Sequence, residues 1–285
     1  MDKELKMSKK GNYVEVWDEG YKSLDVTYTE SEDTPGNISQ LYSYEFVLED
    51  IIHYLPDHKN AKILEVGCGG ARNSLYLALR GYDVTCSDYS LEALKYAKRN
   101  FSAFGAKATF LQDDFMNTII PVESFDCVMS FGLLEHFEEL GPLVNNLSRL
   151  VKPGGIQIHL VITKKISTNM IFNLIWFPYN FLRLALKKRD FRSIIRRSYR
   201  DFPHYENSFS HLEYAQAFEK VGNEIIYVEP CDLIGPLLIW PFGLFNWVVR
   251  VFRKPLKKLM KATKRTNSRL VMFLSPVFTV LCRKL

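Results

Sequence analysis

The sequence predicts an α/β fold, a doubly wound and mostly parallel seven-stranded sheet with helices on both faces and a helical cap formed by insertions. Three observations lead to this prediction. Ile63, Leu64 and Val66 form a short apolar run typical of a buried parallel strand, and a glycine-rich turn follows it. From 61 to 162, apolar strand-like runs alternate with segments of helical periodicity. Asp88 ends the second of these strands, about 20 residues beyond the turn, as in a βαβ unit.

The N-terminal part, 1–60, is expected to form a helical lid. Tyr13, Trp17 and Tyr21 are four residues apart and share one face if this stretch is helical. Two compatible interpretations remain open for that face: it packs on the core, or it covers a ligand site. The apolar spacing of Leu41–Leu55 predicts a helix that stops before Pro56.

The glycine-rich turn follows the first strand at Gly67 and Gly69, where a side chain would keep the backbone from approaching a ligand. A helix is predicted from Asn73 to Arg80, and its first N–H groups would face whatever binds at the turn. Arg72 occupies the position of the third glycine of a dinucleotide fingerprint, which argues against nicotinamide or flavin binding. The sequence also lacks the P-loop pattern.

The remaining core elements follow in regular order. Ser90 is a plausible N-cap of the helix that runs to Phe104, and Ser210 with Glu213 forms a capping-box pattern that gives His211 a structural role. The other predicted elements are a strand at Ala108–Gln112, a strand at Phe125–Ser130, a helix at Leu140–Leu150, a turn at Lys152–Gly155, a strand at Ile156–Ile162, core structure at Ser210–Pro230 and a last strand at Val277–Arg283.

These motifs together resemble the small-molecule branch of the class I S-adenosylmethionine-dependent methyltransferases. The resemblance rests on Glu65-x-Gly67-x-Gly69, Asp88, the acid pair after the third strand and the Lys-Pro-Gly-Gly turn, all in order. It implies S-adenosylmethionine as cofactor. Family members that methylate DNA bases or glutamine carry an Asn/Asp-Pro-Pro-aromatic tetrapeptide after the fourth strand. This chain has Ser130-Phe131-Gly132-Leu133 there, which argues against those substrates.

The resemblance also implies the site residues. The turn and its neighbours would hold the methionine part of the cofactor, the acid after the second strand its ribose, and the residues after the third strand its adenine. Asp114 is expected to accept from the adenine amino group, with Asp113 as its competitor. The predicted cofactor-binding residues are Glu65, Gly67, Cys68, Gly69, Asp88, Tyr89, Asp113, Asp114, Phe115, Phe131, Gly132 and Leu133. His136 and His204 are the candidate general bases, and no metal site is expected.

Composition and charge narrow the class of protein. The cysteines form no C-x-x-C pair and are expected to be reduced core residues of a cytoplasmic protein, and the charged N-terminus lacks a secretory h-region. The chain has 24 acidic and 15 basic residues through Thr163, and 8 and 22 from Lys164 on, for net charges of −9 and +14. Such asymmetry indicates an anionic partner for the basic half.

Two insertions combine an apolar, aromatic run with a basic one: Met170–Leu186 and Leu233–Val249, each followed by closely spaced lysines and arginines. Both are too short or too interrupted to span a bilayer. They are expected to form a cap over the substrate cleft or a surface that contacts anionic lipid, and these alternatives are compatible. The chain is accordingly divided into 1–60, a cofactor-binding core at 61–163, an insertion at 164–210, more core at 211–232, a second insertion at 233–269 and the last strand at 270–285.

The expected function is methylation of a small or lipid-linked acceptor, at oxygen or nitrogen, by a cytoplasmic enzyme that can associate peripherally with a membrane. The apolar runs suggest that the acceptor has an apolar part, and the cations suggest an anionic group on it or an anionic membrane that carries it. The alternatives are an RNA methyltransferase that uses the basic half and a non-catalytic cofactor-binding scaffold. Nucleic acid is less favoured, because no RNA-binding module accompanies the cations.

Overall fold

The computed structural model describes residues 14–22, 24–163, 207–231, 243–263 and 268–285, with isolated positions at 178, 182 and 266. The first insertion, 164–210, therefore lies outside the described residues except at 178, 182 and 207–210. His204 also lies outside them. The described part of the second insertion is chiefly 243–263.

The sheet has seven strands in the order β3-β2-β1-β4-β5-β7-β6. The β7 strand runs antiparallel to both of its neighbours, β5 and β6, and the other pairings are parallel. The predicted doubly wound, mostly parallel sheet is thus confirmed. The strands are β1 (Lys62–Val66), β2 (Asp83–Asp88), β3 (Thr109–Gln112), β4 (Phe125–Phe131), β5 (Val151–Ile162), β6 (Asn223–Pro230) and β7 (Val277–Lys284).

Eight α-helices are described, and their capping follows the sequence signals. Ser90 accepts from the backbone N–H of Ala93, and Ser210 forms a complete capping box with Glu213. Both predicted caps are confirmed. The helices are α1 (Val14–Tyr21), α2 (Pro35–Tyr54), α3 (Arg72–Ala78), α4 (Leu91–Ala103), α5 (Leu140–Leu150), α6 (His211–Lys220), α7 (Gly243–Thr263) and α8 (Arg269–Leu274). None of the helices in the described ranges is long and apolar enough to cross a bilayer.

Helix α2 begins six residues earlier than the apolar periodicity predicts. Thr34 is its N-cap and accepts from the backbone N–H of Asn37 at 3.1 Å, while Pro35 occupies the first turn. A threonine before a proline is a strong start signal, because proline has no N–H to leave unpaired in the first turn. The prediction at Leu41 was wrong because it followed apolar spacing alone.

The predicted turn at Lys152–Gly155 is instead an irregular part of β5. Val151 pairs with Phe125, and Ile156 pairs with Cys127, so four residues bulge opposite one. A Cβ on Gly155 would lie 2.8 Å from the carbonyl oxygen of Asp126. The glycine therefore allows the bulge to lie close to β4, and the strand continues on both sides of it.

The sheet is covered on both faces by apolar side chains. Alternate residues of β1 face opposite cores: Ile63 lies in the cluster with α2, α3 and α4, and Leu64 in the cluster with α5 and α6. Both are fully buried. This alternation holds the carboxyl end of β1, and the turn after it, in the middle of the sheet.

Helix α7 packs on the outer side of α2 and adds a layer to that face. Its Leu256 and Met260 lie against Ile38, Tyr42 and Phe46, which are spaced by four along α2. The sheet-facing residues of α2 belong to a different cluster. This insertion was predicted to cap the substrate cleft or to contact anionic lipid. The described apolar contacts of its C-terminal half are with α2, because its apolar stripe matches one on α2, and its role as a cap stays a prediction.

Ion pairs accompany this packing. Lys257 pairs with Glu32 and Glu45, and Lys261 approaches Glu49 at 3.6 Å. Each exposed pair of this kind contributes only ~0–1 kcal/mol. These acids, in α2 and just before it, therefore add little to stability, but they neutralise some of the cations that give the C-terminal half its charge.

Candidate functional site

The glycine turn between β1 and α3 is held tightly against β2. The backbone N–H of Cys68 donates to the carbonyl of Ser87 at 3.0 Å. Gly67 and Gly69 have φ of +64° and +50°, in the left-handed region that side chains disfavour. A Cβ on Gly67 would lie 2.7 Å from Cδ1 of Leu133, so both glycines are needed for this shape.

Glu65, at the end of β1, fastens the turn to α3. Its Oε2 accepts from the backbone N–H of Ser74 at 3.1 Å and from the Ser74 hydroxyl at 2.5 Å. The carboxyl group is buried, and this burial raises its pKa to about 7, in spite of the two hydrogen bonds. Glu65 therefore titrates near neutral pH while it fixes the first turn of α3.

The titration of Glu65 predicts a pH-dependent stability. The folded state holds the proton more tightly than the unfolded chain, whose Glu pKa is 4.5. Stability from this group is thus fully present below pH 4.5 and is lost as the pH rises towards 7. Glu65→Gln retains an acceptor for Ser74 and cannot titrate, so we expect it to lack this decline, which amounts to about 3 kcal/mol at most.

Urea unfolding of both proteins at several pH values between about 4 and about 8 measures this effect. Glu138→Gln, which changes an exposed carboxylate, is the control. The same slope of unfolding free energy against pH in Glu65→Gln and the unchanged protein would contradict the prediction.

Asp88, at the end of β2, joins the turn to the start of α4. One carboxylate oxygen accepts from the backbone N–H of Gly69 at 2.8 Å and the other from that of Ser90 at 2.9 Å. Burial is the largest influence on the carboxyl group and raises its pKa despite these bonds. Tyr89 follows with 46% of its surface exposed. The lone pairs left on the Asp88 carboxylate and the exposed ring of Tyr89 border the same edge of the sheet.

The two acids after β3 have different surroundings. Asp114 caps a 3₁₀ turn at Phe115–Asn117, and its oxygens accept from Met116 N and Asn117 Nδ2. Asp113 is buried, its backbone N–H donates to Asp88 O at 3.1 Å, and its Oδ2 has no hydrogen-bond partner among the described residues. Asp113 is therefore the acid that has an oxygen with no hydrogen bond, although the sequence resemblance favours Asp114.

The segment after β4 forms the opposite wall. Phe131 ends the strand, Gly132 has φ of +71°, and its N–H donates to the carbonyl of Leu160 at 3.1 Å. The 3₁₀ turn that follows ends at His136, whose N–H donates to Leu133 O at 3.1 Å. This geometry turns the chain back over the glycine turn, since Leu133 is the residue that a Cβ on Gly67 would contact.

Sequence reasoning missed Asn207, which secures this wall. Its Nδ2 donates to the carbonyls of Leu134 and Phe137 at 3.0 and 2.9 Å, and its N–H donates to Glu135 O at 2.6 Å. The Tyr214 hydroxyl donates to its Oδ1. An asparagine outside any motif carries no sequence signal for this role, because the contact spans about 70 residues of chain.

Helix α1 lies across the site. Ser90 donates its hydroxyl to Asp18, which holds the helix at the start of α4. The hydroxyl of Tyr21 would lie 2.8 Å from a Cβ on Gly69. The rings of Trp17 and His136 meet edge-on, with their centroids 5.1 Å apart. Burial, and secondarily the charge of Asp88, raises the pKa of Tyr21. Of the aromatic face predicted from Tyr13, Trp17 and Tyr21, the last two share one side of α1 and cover the glycine turn, and Tyr13 lies outside the described residues.

Most of the predicted site residues are brought to one edge of the sheet. The glycine turn, the β2 end, the β3 end and the turn after β4 carry all twelve predicted cofactor-binding residues and His136. His204 lies outside the described residues. The arrangement fits S-adenosylmethionine on two structural grounds: a backbone cradle that a Cβ would fill at Gly67, and an orphaned buried oxygen on Asp113 that can accept from an amino group.

Comparison with known proteins finds methyltransferases. A methyltransferase domain model matches residues 63–155. The chain is 35% identical over 121 residues to a ubiquinone biosynthesis O-methyltransferase of Rickettsia canadensis (strain McKiel), an alignment that covers 40% of this chain and 48% of that protein. A protein of the same name from Dechloromonas aromatica (strain RCB) is 31% identical over 139 residues, covering 48% and 59%. The chain thus spans about half the length of the curated relatives it matches.

Solved structures show the same fold. A protein from Galdieria sulphuraria, provisionally named a sarcosine dimethylglycine methyltransferase, superposes with a TM-score of 0.54 at 15% identity, covering 94% of this chain and 98% of that one. The [4+2]-cyclase SpnF superposes with a TM-score of 0.51 at 13% identity, covering 84% and 81%. At such identities the likeness concerns the fold, which hosts more than one chemistry. The motif order, the sheet topology and the domain match together show that residues 63–155 form a methyltransferase domain with the fold of the class I S-adenosylmethionine-dependent enzymes.

Proposed function

We propose that this protein transfers a methyl group from S-adenosylmethionine to an oxygen of a small acceptor. The observation that carries the proposal is the convergence of Gly67, Gly69, Asp88 and Asp113 at one edge of the sheet, around a cradle that admits no side chain. The choice of oxygen is supported by the relatives, which are named O-methyltransferases.

The residues of the chain have separable tasks in binding. Asp88 is positioned to accept from ribose hydroxyls with its remaining lone pairs, and Asp113 to accept from the adenine amino group. Gly67 and Gly69 let the backbone approach the amino-acid part, and Glu65 keeps α3 in place behind them. When bound, S-adenosylmethionine supplies a methyl group activated by a positively charged sulfur. Positioning is the main contribution that the chain must make to such a displacement.

The acceptor side is formed by α1 and the turn after β4. His136 is the candidate base that removes the acceptor proton, and the Trp17 ring lies against it at 5.1 Å. Helix α1 acts as a lid, because Tyr21 and Trp17 cover the glycine turn and His136 from one side. A closed aromatic lid excludes water from the site and favours an acceptor with an apolar part.

The finer proposal for the acceptor is a lipid-linked or otherwise apolar molecule, reached at an anionic membrane surface. The relatives are named for the biosynthesis of ubiquinone, a molecule with an isoprenoid tail. The net charge of +14 from Lys164 onward is the property of this chain that supports an anionic surface.

A methyl-transfer assay tests the proposal. The protein is incubated with S-adenosylmethionine labelled on the methyl group and with phenols that do or do not have an isoprenoid tail. We expect label in the tailed phenol, and we expect His136→Gln to lower turnover while it leaves the affinity for S-adenosylhomocysteine unchanged. Binding of that product without label in any of these phenols would overturn the proposal and favour a scaffold.

A further inference from the structure

Helix α7 has a second face that the packing on α2 leaves uncovered. The side that contacts α2 consists of Leu256 and Met260 with the paired Arg253, Lys257 and Lys261. These positions recur at three and four residues and so form one stripe. The residues that lie between these positions in sequence form the opposite side of the helix. The outward face is defined as Val251, Phe252, Lys254, Lys258 and Leu259.

The outward face is apolar and exposed. Val251, Phe252 and Leu259 retain 55%, 52% and 49% of their surface. Large apolar side chains that are exposed together on one helix face indicate an interaction surface more often than isolated ones do. Lys254 and Lys258 are exposed beside them.

The charge of α7 identifies the kind of partner. The helix contains six lysines and arginines and no aspartate or glutamate. Glu32, Glu45 and Glu49 meet the cations of the inner stripe. Lys254 and Lys258 on the outward face are turned away from these acids, which leaves them available to an anionic partner.

The mixture of side chains selects among anionic partners. An anionic bilayer buries apolar side chains below its headgroups while the flanking lysines meet the phosphates, which is how amphipathic helices bind in the plane of a membrane. A second copy of this chain that met the helix with the same face would bring like charges together. A nucleic acid would meet the lysines but leave Val251, Phe252 and Leu259 against a charged backbone.

We propose that the outward face of α7 docks the protein on an anionic lipid bilayer. The docking stands on α7 alone, whereas its use, to bring the cleft to an acceptor embedded in lipid, rests on the proposed function. Two lysines and three exposed apolar residues give a reversible association, which salt weakens.

The test is sedimentation with phosphatidylcholine vesicles that do or do not contain phosphatidylglycerol, at low and at high salt. We expect binding to the anionic vesicles at low salt only. Lys254→Gln and Lys258→Gln should each lower the partition coefficient about fivefold, and together about 25-fold. Phe252→Ser with Leu259→Ser should lower it at least about tenfold.

Two control pairs match these changes elsewhere on the surface. Lys59→Gln with Lys107→Gln removes the same charge, and Ile119→Ser with Val122→Ser removes exposed apolar surface. Near-ultraviolet circular dichroism confirms that each variant is folded. Absence of binding to anionic vesicles, or equal loss with a control pair, would overturn the proposal.

The same variants exclude the other partners. Retention of mixed RNA that depends on Lys254 and Lys258, without vesicle binding, would assign the face to nucleic acid, and concentration-dependent dimerisation lost in Phe252→Ser would assign it to a second copy. Either result would overturn the lipid proposal. Vesicle binding without methyl transfer would leave the docking intact and count against the proposed function only.

Discussion

Replacement of Asp88 by alanine is expected to lower the affinity for S-adenosylhomocysteine about 100-fold. A hydrogen bond to a charged group contributes ~1.5–3 kcal/mol, and this carboxylate is proposed to accept from the ribose. The substitution also removes the acceptor of the Gly69 and Ser90 N–H groups, which hold the turn and the start of α4. The expected loss therefore combines a missing ligand contact with a loosened cradle.

Isothermal titration calorimetry measures this effect, and two further variants separate its causes. Asp88→Asn keeps one oxygen for the backbone and loses the charge, so it should retain part of the affinity. Asp83→Ala changes an exposed acid at the other end of the same strand and should bind as the unchanged protein does. Full affinity in a folded Asp88→Ala protein would mean that the nucleoside binds elsewhere.

Gly67→Ala is expected to have the second largest effect, a loss of about tenfold or more in cofactor affinity with lower stability. Alanine at φ of +64° costs ~1–2 kcal/mol. Its Cβ would also lie 2.7 Å from Cδ1 of Leu133 and 3.3 Å from Cγ, so the wall after β4 must move. Both effects act on the surface that faces the cofactor.

A double-mutant cycle with Leu133→Ala distinguishes the steric contact from the backbone strain. Removal of the leucine side chain should restore part of the stability of Gly67→Ala, measured by thermal unfolding, and should leave the strain. Gly105→Ala has a similar positive φ of +64° with nothing within 4 Å of its Cβ, so it measures the strain alone. Equal destabilisation in Gly67→Ala and Gly105→Ala would show that the contact with Leu133 is unimportant.

Much of the fold could be predicted from the sequence, because the signals for helix starts and buried strands lie within a few residues of each other. Ser90 and Ser210 mark the starts of helices in the sequence, because an N-cap side chain accepts from a backbone N–H only three residues away. The strands around Ile63 and Val128 are recognisable because parallel strands are apolar on both faces. The limits of such reasoning appear at Leu41, where apolar spacing alone overlooked the cap at Thr34, and at Lys152–Gly155, where a glycine pair indicated a turn and the pairing with β4 made it a bulge.

The sequence alone sufficed to predict the methyltransferase domain and to propose the positions that border the cofactor, because Gly67, Gly69 and Asp88 belong to a motif whose spacing follows from one βαβ unit. Tertiary structure decided which groups remain available there. Asp113 has an oxygen with no hydrogen bond, whereas both oxygens of Asp114 accept bonds in a cap. Asn207 reaches the wall after β4 from far along the chain. It also decided where α7 packs. Contacts between distant segments depend on which side chains match across a surface, and no local pattern records that match.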